Sequence, residues 1–212
     1  MLIVVAASDE QWEELVKARP QIEWKRVHNG NEFANNKIAD AYFDLTGNSS
    51  SQQYAPLKKP VIINSVIETL QELNAPEDIL RINGWPGFLQ RPSWEIAGTV
   101  DAHTRSVFEK LGVRLHVVAD EPGFIAARII AMIVNEAYLA LEDEVSSKSE
   151  IDTAMKLGTN YPFGPFEWSI AIGIENIAAL LEKLNKEDSR YKPADLLLKE
   201  VNKKQHESYS EH

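Results

Sequence analysis

The feature that most constrains this chain is a change of pattern about halfway along it. Up to about residue 118, short apolar runs rich in β-branched and aromatic side chains alternate with segments whose apolar residues recur at helical spacing. Such alternation is typical of a mostly parallel sheet with crossover helices. The predicted strands are 2–7, 22–27, 41–45, 61–63, 79–82 and 113–118, and the predicted helices are 9–18, 65–73 and 102–111.

From Pro122 onward the strand-like runs stop and long helical patterns follow. Pro122 can begin a helix, because the first residues of a helix do not use their N–H groups within it, and a proline there loses no helical hydrogen bond. The segment 124–141 is apolar nearly all round in its N-terminal part, which is typical of a helix buried on several sides. The sequence therefore predicts an α/β domain over 1–119 followed by an all-α domain over 120–212. A single α/β domain with a long helical tail is the alternative.

Residues typical of caps and turns divide the second half into helices. Ser147 and Glu150 have the spacing of a capping box, the segment 161–165 is a stiff turn rich in proline, and helical periodicity resumes over 166–184. From about Glu200 the chain is polar, and we expect it to fray.

Composition excludes several classes of function. The 212 residues carry 22 basic and 32 acidic side chains, and the net charge of −10 repels nucleic acid. With 0 cysteines, thiolate metal sites and cysteine nucleophiles are excluded, and no other metal-ligand spacing is present. The most apolar stretch is broken by Arg128, Asn135 and Glu136, so no membrane span is predicted. The first ten residues have the pattern of a strand and not of a signal peptide, and we expect a cytoplasmic protein.

Four motifs in the second half carry a resemblance to a known family. They are Asp120–Arg128, Asn135–Ala137, Ile151–Gly158 and Tyr161–Glu167. Over about residues 113–198 the chain resembles the C-terminal domain of 3-hydroxyacyl-CoA dehydrogenases. The resemblance implies a shortened Rossmann-like domain, followed by a helical domain that dimerises and helps to bind an acyl-CoA. In that family NAD accepts a hydride, while a histidine oriented by a glutamate removes the hydroxyl proton.

The segment where such a family binds its nucleotide differs from the usual pattern. A dinucleotide needs a glycine-rich turn from the first strand into the first helix, and residues 6–10 contain no glycine. Ser8 and Gln11 form a capping-box pattern instead, and Asp9 and Glu10 would repel a diphosphate. We therefore predict no cofactor.

The family's catalytic residues fall on side chains that cannot perform their roles. By the resemblance, the histidine falls on Pro86, its glutamate partner on Gly98, and an asparagine of the first long helix on Ala127. The family's substrate-side serine falls near Val66, and a shift of one residue would place it on Ser65. Proline and glycine carry no titratable proton, so the family's general base is missing.

A relocated base is the main alternative. The five histidines lie in turns, at a helix start, in a strand or in the polar tail, where a surface or structural role is expected: His28, His103, His116, His206 and His212. Glu95 and Glu68 remain as possible bases of an active NAD-dependent enzyme. Glu95 is the stronger of the two, because it lies close to the segment that matches the family's catalytic loop.

Three aromatic side chains cluster in or near that same segment: Trp85, Phe88 and Trp94. They either fill the volume left by the cofactor and substrate or, with Ser65, line a pocket for an apolar ligand. The resemblance, with the family's catalytic positions replaced, predicts a catalytically degenerate member that acts as a binding or assembly module for an acyl-CoA or another apolar ligand. The resemblance also implies a homodimer through the C-terminal helices. The alternative is an active dehydrogenase whose cofactor and base have moved.

Overall fold

The computed structural model describes residues 1–47, 51–54 and 56–210. The chain divides into two compact units, Met1–Phe124 and Ile125–His212, which we call the sheet unit and the helical unit. The division therefore follows Phe124, whereas the sequence places the boundary between 119 and 120. The added residues belong with the sheet because Asp120 and Phe124 both contact the side chain of Arg81, in the middle of a strand.

The sheet unit contains a 7-stranded sheet in the order β2-β1-β3-β4-β5-β6-β7. Neighbouring strands are parallel except for β5 and β6, which are antiparallel. The mostly parallel α/β fold predicted for this half is confirmed. The strands are β1 Leu2–Ala6, β2 Glu23–Val27, β3 Ala41–Asp44, β4 Val61–Asn64, β5 Ile79–Ile82, β6 Ser93–Ala97 and β7 Arg114–Val117, and the α-helices are α1 Asp9–Ala18 and α2 Ala102–Leu111.

Strand β1 is buried on both faces, which is why it is an uninterrupted apolar run. Ile3 and Val5 pack in one core with Leu15 of α1. Val4 and Ala6 pack in a second core on the opposite face. Because β2 and β3 flank β1 on its two sides, the strand order reverses at β1, and the crevice at the carboxyl ends of β1 and β3 is the usual ligand position in such a sheet.

The helix predicted over 65–73 is wrong. This segment forms consecutive turns, in which the N–H groups of Leu70 and Gln71 donate to the carboxylate of Asp120 at 3.1 and 3.2 Å. A helix would need those two N–H groups for carbonyl oxygens one turn earlier in the chain. Asn74 then has a φ of 47°, which ends any helical path.

Strand β6 is absent from the predicted strands. Trp94 and Ile96 are buried on one face, while Ser93 and Glu95 are half-buried, so the segment alternates as a strand does. It follows a loop that reverses the chain direction, which explains its antiparallel pairing with β5.

The described part of the helical unit is built from helices, as predicted. They are α3 Ala126–Glu142, α4 Lys148–Thr159, α5 Pro165–Ile172, α6 Ile174–Asn185 and α7 Asp195–Ser210. The capping box of Ser147 and Glu150 at the start of α4 is confirmed. Pro122 lies in a turn and does not begin α3, because Phe124 has a φ of 51° and interrupts the helical path before Ala126.

Helix α7 continues past Glu200 to Ser210, and residues 211 and 212 lie outside the described part; the fraying expected of this polar end stays a prediction. Leu197 is fully buried, and the carboxylate of Glu200 accepts the hydroxyl of Tyr138 at 2.7 Å. The first turns of α7 are thus fixed by packing, and residues 202–206 are exposed.

The motifs that carry the family resemblance have structural roles here. Asn135 accepts the N–H of Ala194 at 2.8 Å and donates to the carbonyl of Lys192 at 3.0 Å, so it joins α3 to the segment before α7. Asp152 of α4 accepts the N–H of Phe166 at 2.8 Å, at the start of α5.

Candidate functional site

Side-chain amides cross the carboxyl edge of the sheet where a ligand would be expected. The Nε2 of Gln11 in α1 donates to the carbonyl of Leu45 at 3.0 Å and to that of Gly84 at 2.9 Å. Asn64, at the end of β4, donates to Leu45 at 3.2 Å and accepts the N–H of Gly84 at 2.9 Å. We call these four residues the edge network, and it ties α1 to the ends of β3, β4 and β5.

Gly84 allows the side chain of Asn64 to approach the backbone closely. A Cβ atom at this position would lie 2.9 Å from Cγ of Asn64, which is too short for any carbon contact. The edge network therefore depends on a glycine, and the sequence around it gives no local sign of that role.

The start of α1 is occupied by the chain's own polar groups. The Ser8 hydroxyl accepts the backbone N–H of Gln11 at 3.2 Å, and the side-chain Oε1 of Gln11 accepts the backbone N–H of Ser8 at 3.1 Å, so the predicted capping box is confirmed. At the end of β2, Arg26 pairs with Asp9 at 2.7 Å and donates to the carbonyl of Ala7 at 2.8 Å. In a dinucleotide-binding sheet, the start of α1 holds the pyrophosphate and the end of β2 holds the ribose.

The loop that matches the family's catalytic segment is held against α1. The Glu14 carboxylate accepts the N–H of Gly87, and its pKa is raised, because burial outweighs the backbone N–H groups that lower it. Arg19 donates to the carbonyls of Leu89 and Arg91, both at 2.7 Å, and burial lowers its pKa to about 10. Two charged side chains, Glu14 of α1 and Arg19 directly after it, thus serve to fix the backbone of this loop.

The positions matched to the family's catalytic residues lie in different settings. Pro86 is half-buried within the loop that α1 holds, and Val66 is buried after β4. Gly98 follows β6 with a φ of 114°, and a Cβ there would lie 3.0 Å from the carbonyl oxygen of Ile79. Because of this φ and this close contact, a glutamate side chain at position 98 would be strained. Ala127 is fully buried in α3 of the helical unit.

The candidate pocket aromatics lie in the interior. Trp85, Phe88 and Trp94 are each no more than 5% exposed. Trp94 packs on Phe43 and Phe108, with ring centroids 6.1 and 5.9 Å apart. The three side chains therefore present very little surface to a ligand.

The remaining candidates are polar groups at the surface or near it. The Ser65 hydroxyl donates to the backbone carbonyl of Glu68 at 2.7 Å, and Glu68 itself is exposed. Glu95 is half-buried in β6 and opposite His116 of β7. Each histidine between residues 1 and 206 is exposed: His28, His103, His116 and His206.

Within the described ranges, no group of three histidine, aspartate or glutamate side chains has a geometry that could hold a metal ion. Of the helices in those ranges, none has the length and hydropathy needed to cross a membrane.

The sequence analysis does not predict the role of the buried Arg81. Arg81 in β5 is fully buried and donates to Asp120 at 2.5 Å, to the carbonyl of Ser65 at 3.0 Å and to that of Glu121 at 2.6 Å. Its guanidinium also lies 4.3 Å from the ring centroid of Phe124. An arginine in the middle of an apolar strand is the only signal in the sequence for this cluster.

Comparisons with known proteins show what the helical unit resembles. The family model described as 3-hydroxyacyl-CoA dehydrogenase, C-terminal domain, matches residues 123–211. The chain is 42% identical over 102 residues to 3-hydroxyadipyl-CoA dehydrogenase of Escherichia coli K12, covering 46% of this chain and 22% of that protein. It is 39% identical over 94 residues to 3-hydroxybutyryl-CoA dehydrogenase of Bradyrhizobium diazoefficiens, covering 43% of this chain and 32% of that protein. The matches therefore span less than a third of these relatives.

Solved structures extend the likeness to the fold of the whole chain. Mycobacterium tuberculosis FadB2 superposes with a TM-score of 0.72 at 15% identity, over 96% of this chain and 94% of that one. (S)-3-hydroxybutyryl-CoA dehydrogenase PaaH1 of Ralstonia eutropha has a TM-score of 0.70 at 19% identity, over 95% and 93%. The 3-hydroxybutyryl-CoA dehydrogenase of E. coli K12 has a TM-score of 0.55 at 35% identity, over 66% of this chain and 31% of that one.

The first two structures show that the fold is a Rossmann-like sheet followed by a helical domain. Residues 123–211 thus match the C-terminal domain of 3-hydroxyacyl-CoA dehydrogenases, and the chain as a whole shares the fold of FadB2 and PaaH1.

Proposed function

We propose that this chain is a catalytically degenerate member of the family, which acts as a dimeric binding or assembly module and not as a dehydrogenase. The observation that carries the proposal is the edge network, in which the amide of Gln11 spans the carboxyl ends of the strands. The proposal places the module in the cytoplasm, in keeping with a chain that has 0 cysteines.

The residues at the start of α1 do not fit a dinucleotide. A diphosphate binds free N–H groups at a helix N-terminus, whereas Ser8 already caps this helix. The carboxylates of Asp9 and Glu10 lie in its first turn, where they would repel a second anion by roughly 1 kcal/mol or more at a surface dielectric. Opening this position would also break the pair between Arg26 and Asp9.

The acid–base pair of the family is also missing at the matched positions. Pro86 has no proton to transfer, and the backbone at Gly98 has no room for a longer side chain. Loss of the base and loss of the nucleotide position are independent observations, and both support degeneracy.

An active oxidoreductase is the second candidate function. The names of the relatives favour it, because they are dehydrogenases of 3-hydroxyacyl-CoA compounds. It would need a relocated cofactor and a base such as Glu95 or Glu68. Glu95 is half-buried, and Glu68 is exposed.

Titration with NADH separates the two candidates. The sheet unit holds Trp12, Trp24, Trp85 and Trp94, whose emission overlaps the absorption of NADH. We expect no saturable energy transfer at micromolar NADH, once absorption is corrected with free tryptophan as a control. A saturable signal would instead support the active oxidoreductase. Saturable binding of a long-chain acyl-CoA without turnover would favour a binding module over a purely structural one.

The surface of the helical unit supports the dimer in this proposal. Helix α4 has no buried residue, and its Leu157 is 83% exposed. Ile125, which precedes α3, is 57% exposed, and Ile129 in the first turn of α3 is 50% exposed. Large apolar side chains left exposed are candidates for an interface, and a second copy is the partner that the family resemblance implies.

Sedimentation velocity tests the dimer. We expect a dimer at micromolar concentration, and we expect Leu157→Glu to weaken its association by about tenfold or more, because it buries a charge in an apolar interface. Ile38→Glu is the matched control, since Ile38 is 84% exposed in the sheet unit. A monomeric parent protein, or equal effects of the two variants, would contradict the proposed interface.

A further inference from the structure

The sheet unit contains two asparagine–glycine pairs, Asn29–Gly30 and Asn83–Gly84. Such pairs are prone to spontaneous deamidation, because a glycine has no side chain to keep its backbone nitrogen away from the carboxamide of the residue before it. Once it loses its proton, that nitrogen can attack the carboxamide carbon. The fold places the two pairs in opposite settings.

The edge network holds the pair Asn83–Gly84. Asn83 is 5% exposed, and its side-chain oxygen accepts the N–H of Trp85 at 3.2 Å. The N–H of Gly84 donates to the side-chain oxygen of Asn64 at 2.9 Å. The attacking nitrogen therefore has its proton bound inside the protein, and this bond must break before deamidation can begin.

The pair Asn29–Gly30 follows β2, and Asn29 is exposed. The side-chain oxygen of Asn29 accepts the N–H of Asn31 at 3.0 Å and caps the short 3₁₀ helix Gly30–Asn35. Gly30 is buried, but among the described residues no hydrogen bond holds its N–H. The peptide group between residues 29 and 30 is bonded through its carbonyl oxygen, which accepts the N–H of Glu32 at 3.2 Å.

Packing explains why a glycine stands at position 30. A Cβ atom there would overlap the hydroxyl group of Tyr54, which is itself buried. Residue 29 caps the helix that follows, and asparagine is among the residues that perform this role best. The fold therefore favours a labile pair at a position where the asparagine is exposed.

We propose that Asn29 is a site of spontaneous modification, at which the folded chain deamidates and isomerises, whereas Asn83 is protected by the edge network. The Gly30 nitrogen bonds to Cγ of Asn29, and the bond from Cγ to Nδ2 breaks. Nδ2 leaves as ammonia with the proton that Gly30 loses. Water then opens the cyclic imide. Cleavage between the Gly30 nitrogen and Cγ gives aspartate, and cleavage between that nitrogen and the main-chain carbonyl carbon gives isoaspartate.

The two products have different effects on the structure. Aspartate keeps an oxygen that can cap the 3₁₀ helix, and it adds a negative charge at the start of that helix, where the peptide dipoles favour one. Isoaspartate carries an extra carbon atom in the backbone and displaces Gly30, which has no free space towards Tyr54. We therefore expect the isoaspartate form to unfold at a lower urea concentration than the parent protein.

Incubation of the full chain in mildly alkaline buffer, followed by peptide mass spectrometry, tests the proposal. In the folded protein we expect residue 29 to convert at least about tenfold faster than residue 83. In concentrated urea we expect similar rates, because both pairs are then exposed. Asn29→Ser is the matched control: serine also caps helices but has no carboxamide, so conversion at this position should cease while circular dichroism stays unchanged.

Asn64→Ala tests the protection of Asn83. This variant removes the acceptor of the Gly84 N–H, and we expect conversion at residue 83 to become about tenfold faster while conversion at residue 29 stays the same. Equal rates at the two residues in the folded parent protein, or conversion at residue 29 only in urea, would overturn the proposal. An unchanged rate at residue 83 in Asn64→Ala would overturn the protective role of the edge network.

Discussion

Replacing Arg81 with methionine is expected to lower the free energy of unfolding of the sheet unit by about 3–5 kcal/mol. The guanidinium is fully buried and satisfies the Asp120 carboxylate and the carbonyls of Ser65 and Glu121. Methionine has a similar length but no donors, so these acceptors would lose their partners. Asp120 also fixes the turns after β4, and we expect those turns to loosen as well.

Urea unfolding followed by tryptophan fluorescence measures this loss, because Trp168 is the only one of the 5 tryptophans that lies in the helical unit. Arg114→Met is the matched control on exposed β7, with an expected change within about 0.5 kcal/mol. A loss below about 1 kcal/mol for Arg81→Met would show that the cluster is not a main support of the sheet unit.

Replacing Trp94 with alanine is expected to cost about 3–5 kcal/mol of unfolding free energy. The indole is 4% exposed, packs against Phe43 and Phe108, and its ring centroid lies 4.7 Å from the guanidinium of Arg19. Its removal would leave a cavity that the surrounding strands cannot close. A side chain on the wall of an open pocket would cost much less.

The same urea experiment distinguishes these two roles of Trp94. Ile38→Ala is the control, because Ile38 is 84% exposed in the same unit and its loss should cost less than about 0.5 kcal/mol. If Trp94→Ala cost no more than about 1 kcal/mol, the interpretation of Trp94 as a core residue would be wrong and a ligand pocket would regain support.

Local pattern predicts the fold well where neighbours along the chain decide the structure. The β-branched run of β1 and the capping boxes at Ser8 and Ser147 are of this kind. The pattern fails over 65–73, where the deciding partner is Asp120, which lies 50 residues beyond Leu70. The apolar spacing there indicates burial correctly, but a distant carboxylate takes the N–H groups that a helix needs.

For the candidate site too, some features can be predicted from the sequence and others cannot. The absence of glycine from residues 6–10 can be seen in the sequence, and so can a proline at position 86. The edge network cannot, because Gln11 and Gly84 are 73 residues apart and meet only in the folded sheet. A glutamine in a helix has no local feature that marks it as a bridge between strand ends.

A crystal structure of the protein soaked with NADH and an acyl-CoA would show whether the nucleotide position is lost. We expect no dinucleotide at the carboxyl edge of the sheet, with the Gln11 amide still bonded to Leu45 and Gly84. Electron density for a dinucleotide across that edge, with Gln11 displaced and Arg26 released from Asp9, would contradict it.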